Sequence, residues 1–422
     1  MRRAVGAVAI AVAAFVVAAP AGASSAARYG IQDDAWLMYG PGTLSQRLTT
    51  FQRLGVGIVR FTLRWDQIAP TEPGDPRSPS DEAYEWGQFG SVLDALHARG
   101  IAAVVTLYGS PRWANGGRAP IALPRRGFGD FAYAAAKRFP WVHMWTVWNE
   151  PNGRTFSVPV SPRLYVQRLL NPAYAALHSA GRQNMVAGGV TSPRKTPSGM
   201  SPLVFMQGMY EAHARLDAYA QNPYPVDRGE TPFRTTCAGC DYLTLAKLST
   251  IRAAVTRYFG AKPLWLTEYG YQTDPPDRLL GVSQGLQAEY IGEAALRVWE
   301  EPGVTLLIQF LMRDEPNVGG WQSGLFTVGG RAKLAYHAFA LPLAEVSLRG
   351  SRAVLWGQVR PGSGRRPYFL QELTSGRWQA IGGVERTGPG GTFMRTLTVG
   401  PGAVVRLYAP GVGYASPSLR IS

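Results

Sequence analysis

Apolar and polar positions divide the 422-residue chain into two textures. From residue 29 to about 343, short apolar runs alternate with longer stretches whose apolar residues recur at helical spacing. The strand-like runs are 29–32, 58–63, 102–107, 143–148, 184–190, 218–221, 263–267 and 304–310. The helical patterns cover 44–54, 84–99, 128–138, 162–180, 202–214, 242–259, 282–299 and 332–341. Eight strands, each followed by a helix, predict an α/β fold, a (β/α)8 TIM barrel over 27–343. Several strands are uninterrupted apolar runs, as expected of a parallel sheet covered on both faces. An open doubly wound sheet is the alternative, but no Gly-rich phosphate loop follows the first strand.

Beyond residue 343 the period shortens. Runs at 346–348, 353–358, 367–373, 378–381, 391–399 and 403–408 are separated by Gly, Pro and Ser turns such as Pro361-Gly-Ser-Gly364 and Gly388-Pro-Gly-Gly391. Short strands without helices predict a small C-terminal β-sandwich over 344–410, with 411–422 as a loose tail. Trp356, Tyr368 and Trp378 are its large rings, and core packing is the simpler role for each.

The opening residues change the picture of where the chain works. Met1-Arg2-Arg3 precedes an Ala/Val-rich run over 4–19 and small residues to Ala27, with Ala23 or Ala26 suited to cleavage. This is the pattern of a secretory signal peptide over 1–26, and the run is shorter than the roughly 20 residues a bilayer span needs. A secreted, extracellular or wall-associated chain, free of the membrane after cleavage, is the expectation. Net charge is +15 with 46% hydrophobic residues. The positive charge is Arg-dominated and scattered, Lys occurring only at 137, 195, 247, 262 and 333, which argues against a nucleic-acid partner and leaves acidic polymers open. The two cysteines, Cys237 and Cys240, suit a local disulfide outside the cytosol; a redox pair or a zinc site would need a context this loop lacks.

Candidate chemistry lies in two places. Trp145-Thr-Val-Trp-Asn149-Glu150-Pro151-Asn152 and Leu264-Trp-Leu-Thr-Glu268-Tyr-Gly270 are apolar runs that each end in a carboxylate flanked by turn residues. In a barrel the carboxyl ends of the strands share one face, so Glu150 and Glu268 would meet there. Two carboxylates about 5 Å apart can cleave a glycosidic bond by double displacement. The plainer alternatives are a carboxylate at a helix N-terminus for Glu150 and a structural ion pair with Arg60 for Glu268.

Trp148-Asn149-Glu150-Pro151 after the fourth strand and Thr267-Glu268-Tyr-Gly270 after the seventh resemble the clan A retaining glycoside hydrolases that include families 39 and 5. The resemblance covers 29–343 and implies β-linked or equivalently oriented substrates. It implies Glu150 as acid/base, Glu268 as nucleophile, Asn149 on the sugar 2-hydroxyl, Arg60 beside the nucleophile, and no metal or organic cofactor. In Gln221-Asn222-Pro223-Tyr224-Pro225, Tyr224 fits the clan's pattern, but Asn222 stands where His is usual. Ile308-Gln309-Phe310-Leu311 lacks the clan's Trp, a place Trp321 could take.

Among other aromatics, Trp113 in Ser110-Pro-Arg-Trp113 is a sugar-stacking candidate, whereas Trp65 and Trp145 suit barrel packing. Tyr108 and Tyr271 also sit at strand ends. Arg112, Arg118 and Arg313 fall on the same face and would favour an acidic sugar, while Asp314-Glu315-Pro reads as an exposed loop. The expectation is a secreted retaining glycosidase with a carbohydrate substrate. A non-catalytic carbohydrate-binding protein on the same scaffold, or a transglycosidase, is the alternative. Sugar, linkage and oligomeric state are not legible.

Overall fold

The computed structural model describes residues 27–422, so the signal-peptide reading falls outside the described residues. Eight parallel strands close into a barrel. They are β1 Arg28–Gln32, β2 Ile58–Arg64, β3 Ala102–Tyr108, β4 Met144–Val147, β5 Met185–Thr191, β6 Ala218–Gln221, β7 Leu264–Tyr269 and β8 Val304–Phe310. Pairing of β1 with β8, from Arg28 against Leu306 to Gln32 against Phe310, closes the ring. Two apolar layers follow from strand alternation. Ile58, Val104, Ala220, Trp265 and Ile308 fill the barrel, while Val59, Phe61, Val105 and Leu307 face the helices.

Helices Leu44–Leu54 and Phe128–Arg138 form where periodicity places them. The first opens with a Thr43–Gln46 capping box and stops at Gly55, whose φ of 75° suits a residue without Cβ. A Cβ there would also lie 2.4 Å from the Arg360 backbone, so the same glycine lets the second domain approach. The pattern over 162–180 is not one regular helix. Pro162–Tyr165 and Asn171–Ala180 are joined by a π-turn over Val166–Leu170, because Pro172 offers no N–H to the preceding turn. Three short helices, Asp34–Tyr39, Trp65–Ile68 and Arg112–Asn115, were not foreseen, being too brief to display a period. No described helix is long and apolar enough to cross a membrane.

The second domain is a β-sandwich. One sheet orders β13 Thr392–Thr398, β10 Arg352–Gln358 and β9 Leu343–Arg349; the other contains β11 Pro367–Thr374, β12 Arg377–Arg386 and β14 Val404–Ala409. Trp356 and Tyr368 are core residues, Tyr368 stacking on Phe393 at 3.9 Å. Trp378 lies at the sheet surface under Arg406. Residues 411–422 are not a loose tail. β15 Tyr414–Ala415 and β16 Leu419–Arg420 pair with β14, and Leu419 and Ile421 are buried. Alternation of Leu419 and Ile421 with polar neighbours is a strand signal, hidden by its shortness. The sandwich docks on the barrel through Trp299 and Trp356 (6.1 Å) and through buried Arg360, seated over Tyr29 and Phe339. Cys237 and Cys240 form a disulfide.

Candidate active site

Inward-facing positions on β2, at Ile58, Arg60 and Thr62, carry Arg60 to the barrel mouth with no exposed surface. A guanidinium buried this deeply needs a partner for each N–H. Nε donates to Thr106 at 2.9 Å, Nη2 to Asn149 Oδ1 at 3.0 Å, and Nη1 to Gln32 and to Glu268 Oε1, its ion-pair partner. Glu268 reaches this position because β7 is irregular. Leu266 and Tyr269 both face the helix layer although three residues apart, and the pairing register shifts between them. The alternation is reset there, and Glu268 turns into the mouth. Its Oε2 accepts from the Tyr224 hydroxyl at 3.1 Å. Burial and the charges of Glu268 and Glu150 raise the Tyr224 hydroxyl well above its ordinary value, so it stays a donor.

Glu150 follows β4 in a strained turn. Trp148 (φ 69°) and Glu150 (φ 41°) both occupy the left-handed region, which costs a non-glycine residue about 1–3 kcal/mol. The turn is held by Trp148 N–H donating to Leu107 and Glu150 N–H donating to Val190, at 2.8 and 2.9 Å. No helix starts at Glu150; the helix after Ser161 is capped by that serine, which removes the helix-terminus alternative. Asn222 Nδ2 donates to Glu150 Oε1 at 3.1 Å, and Asn222 Oδ1 accepts from Thr267 at 2.7 Å. One amide thus links Glu150 to the residue preceding Glu268. Burial first, and the charge of Glu268 second, push the Glu150 carboxyl up to about 8. Of the pair, Glu268 is matched to a cation while Glu150 is biased to hold its proton.

Glu150 opens into a cleft of about 140 Å³ lined by Ser192, Arg194, Thr196, Tyr224, Asp227, Gln272 and Trp321. Trp321 stacks on Tyr224 at 4.5 Å and meets Phe310 edge-on at 5.7 Å. Expected residues Arg60, Asn149, Glu150, Asn222, Tyr224, Glu268 and Trp321 therefore gather in one place. Trp113 does not join them. It does not line the Glu150 cleft; half-buried, it donates its indole N–H to Ala69 at 2.9 Å and packs edge-on to Trp65 at 5.3 Å. Trp65 and Trp145 are fully buried. Tyr271 is buried too, its hydroxyl donating to Glu230. Tyr108 packs on Trp148. Arg112 and Arg313 donate to backbone carbonyls of Gly117 and Val328. Asp314 is not exposed: it forms a buried ion pair with Lys333 at 2.7 Å, while Glu315 accepts from Trp321 N–H.

Several site residues had no sequence signal. Gln32, Thr106 and Thr267 are ordinary strand residues until the barrel brings them to Arg60 and Asn222. Asp33 accepts from the N–H groups of Met312 and Arg313 and ties the ends of β1 and β8 together, its carboxyl pushed up to about 7 by burial. Asp34, beside Thr62 and within the fields of Arg60 and Glu268, is also raised by burial. Among the described residues no cluster of three His, Cys, Asp or Glu side chains could hold a metal ion.

No family model matches the chain, and no curated protein matches it in sequence. Solved structures do. A monomeric β-xylosidase from Caulobacter crescentus CB15 aligns with a TM-score of 0.60 at 16% identity, covering 92% of this chain and 96% of that one. A GH39 enzyme from Xanthomonas axonopodis pv. citri aligns with a TM-score of 0.58 at 16% identity, covering 96% of each. GH5_18 from Streptomyces cattleya, bound to GlcNAc, aligns at 0.54 and 17%, covering 74% of this chain and 79% of that one. Likeness at such identities establishes the fold. The barrel and sandwich form a scaffold of the kind found in family 39 and family 5 glycoside hydrolases.

Proposed function

We propose that this chain is a secreted glycoside hydrolase that cleaves β-linked oligo- or polysaccharides by double displacement, with Glu268 as nucleophile and Glu150 as acid/base. The observation that carries the reading is the opposed environment of two carboxylates at one barrel mouth. Glu268 is paired with a buried guanidinium, and Glu150 is held protonated by burial and by the charge of Glu268.

The steps follow from these positions. Glu150 gives its proton to the glycosidic oxygen as Glu268 attacks the anomeric carbon, releasing the leaving group and forming a glycosyl ester. Esterification removes the Glu268 charge, and Glu150, now ionised, is relieved of its neighbour's repulsion. It then takes a proton from water, whose oxygen displaces Glu268 and restores both groups. Arg60 and Tyr224 hold the two Glu268 oxygens throughout. Because Asn149 Oδ1 accepts from Arg60, its Nδ2 is left to donate to a sugar hydroxyl beside the reacting carbon. Trp321 and Tyr224 offer stacked rings at the cleft wall.

The xylosidase activity of the Caulobacter neighbour makes aryl β-xylosides and β-glucosides sensible first probes. Incubation with these and with a polysaccharide panel should release sugar whose anomeric configuration, followed by NMR, initially matches the substrate. Initial inversion, or rates unchanged in a Glu150→Ala/Glu268→Ala double variant, would sink the reading. Binding without turnover would favour a carbohydrate-binding role, and transfer to added alcohols a transglycosidase sharing the same ester.

A further inference from the structure

A second cavity, of about 490 Å³, lies where the barrel meets the sandwich and shares no residue with the Glu150 cleft. Arg53 and Tyr336 enter it from the barrel helices, Arg365 and Arg366 from the loop between β10 and β11, and Tyr414 from β15. No Asp or Glu lines it, in contrast to the other arginine-rich cavity, beside helix Phe128–Arg138. There Arg77 pairs with Asp130 and Arg126 with Glu72, at 3.5 and 2.8 Å.

The arginines of the interdomain cavity are not neutralised. Arg53 and Arg365 form no ion pair or hydrogen bond through their side chains among the described residues, and both are exposed at its rim. Arg366 donates to the Val359 and Gly362 carbonyls, which fixes its head while leaving its charge unmatched. Two buried polar atoms, Arg366 Nε and the Tyr414 hydroxyl, find no partner among the described residues. Each has less than 1 Å² of its own surface exposed and carries a desolvation cost at the cavity wall. Between the arginines the wall is apolar, made of the Tyr336 and Tyr414 side chains with Val359, Pro361 and Pro367.

We propose that this cavity is a non-catalytic binding site for an acidic glycan, a saccharide segment carrying carboxylate or sulfate groups. Guanidinium forks match such oxyanions, and tyrosine rings suit the apolar faces of sugar rings. The volume lies within the range of small-ligand sites. A nucleic-acid strand would instead want a basic stripe that follows a backbone over several phosphates. Here the cations surround a single hollow. The site would hold a charged polymer on the chain independently of which bond the other cleft cuts.

Affinity electrophoresis and titration calorimetry on the full chain test this, with polygalacturonate, dextran sulfate, neutral dextran and poly(U) as probes. Polygalacturonate or dextran sulfate should bind, and neutral dextran should not; whichever of the two binds tighter identifies the anion. Arg53→Ala/Arg365→Ala should weaken binding at least about tenfold, since two charge-assisted contacts are lost. Tyr414→Ala should weaken it as well, with circular dichroism confirming its fold. Arg163→Ala/Arg257→Ala, the same charge change at exposed positions elsewhere, should leave binding unchanged. Equal weakening by both double variants would reduce the effect to net charge and overturn the proposal. Absence of binding to either acidic glycan would do the same, as would tighter binding of poly(U) with the same sensitivity to Arg53 and Arg365. Turnover in the Glu150 cleft stands or falls separately.

Discussion

Arg60 and Glu268, far apart in sequence, form an ion pair at the barrel mouth in which the guanidinium has no exposed surface. Thr106, Gln32 and Asn149 accept from three further N–H groups of the same guanidinium. A buried pair of this kind contributes less to stability than to fixing geometry, because each charge left water to form it. Removing one partner is expensive for the same reason. Arg60→Met should leave a carboxylate without its cation, costing about 3–5 kcal/mol of stability and destroying turnover. Arg60→Lys keeps the charge but not the fork, and should retain the fold while lowering kcat roughly 10- to 1,000-fold. Thermal unfolding and steady-state kinetics on the two variants separate these effects.

If Glu268 and Glu150 take the roles proposed, Glu268→Ala and Glu150→Ala should each lower turnover of an unactivated substrate by at least about 10³-fold. Azide should rescue both by entering on opposite faces of the sugar. The glycosyl azides then have opposite anomeric configurations, which product NMR distinguishes.

The raised Glu150 carboxyl predicts the basic limb of the pH profile. A general acid must carry its proton, so kcat/KM should fall as pH rises through about 8. Glu150→Gln should abolish that limb along with most activity. Stability moves in a related direction: the folded state binds this proton more tightly than the unfolded chain does. The stability linked to it is full below the ordinary carboxylate range and is lost as pH rises towards about 8. Glu150→Gln should therefore raise the melting temperature more at pH 8 than at pH 4, measured by calorimetry at both.

Asn222 donates to Glu150 and so favours its ionised form. Asn222→Ala should move the basic limb to higher pH and lower kcat about 10-fold or more, since Glu150 also loses its anchor. A limb that stays in place would show that this amide does not govern Glu150.

The end of the chain is part of the sandwich. Deleting residues 416–422 removes buried Leu419 and Ile421, each worth about 1.5–3 kcal/mol. The melting temperature should drop by several degrees, with the β10 and β11 amides losing hydrogen-exchange protection.

The sequence by itself determined the architecture and which two carboxylates end the fourth and seventh barrel strands. Period-two and period-3.6 apolar patterns were dense enough to mark every barrel strand, and a carboxylate at the end of an apolar run is legible because barrel strands share one direction. What it missed depended on contacts between distant segments. Trp113, read as a sugar platform, stands outside the Glu150 cleft, with Ala69 accepting its N–H and Trp65 edge-on to its ring. Asp314 looked exposed until Lys333 reached it. Residues 411–422 looked loose until β14 offered an edge. Asn222, a departure when read alone, gained a place only when Thr267 and Glu150 stood on either side of it. Local pattern records which face a residue prefers; which atoms satisfy its donors, acceptors and charge is set by closure of the barrel and docking of the sandwich.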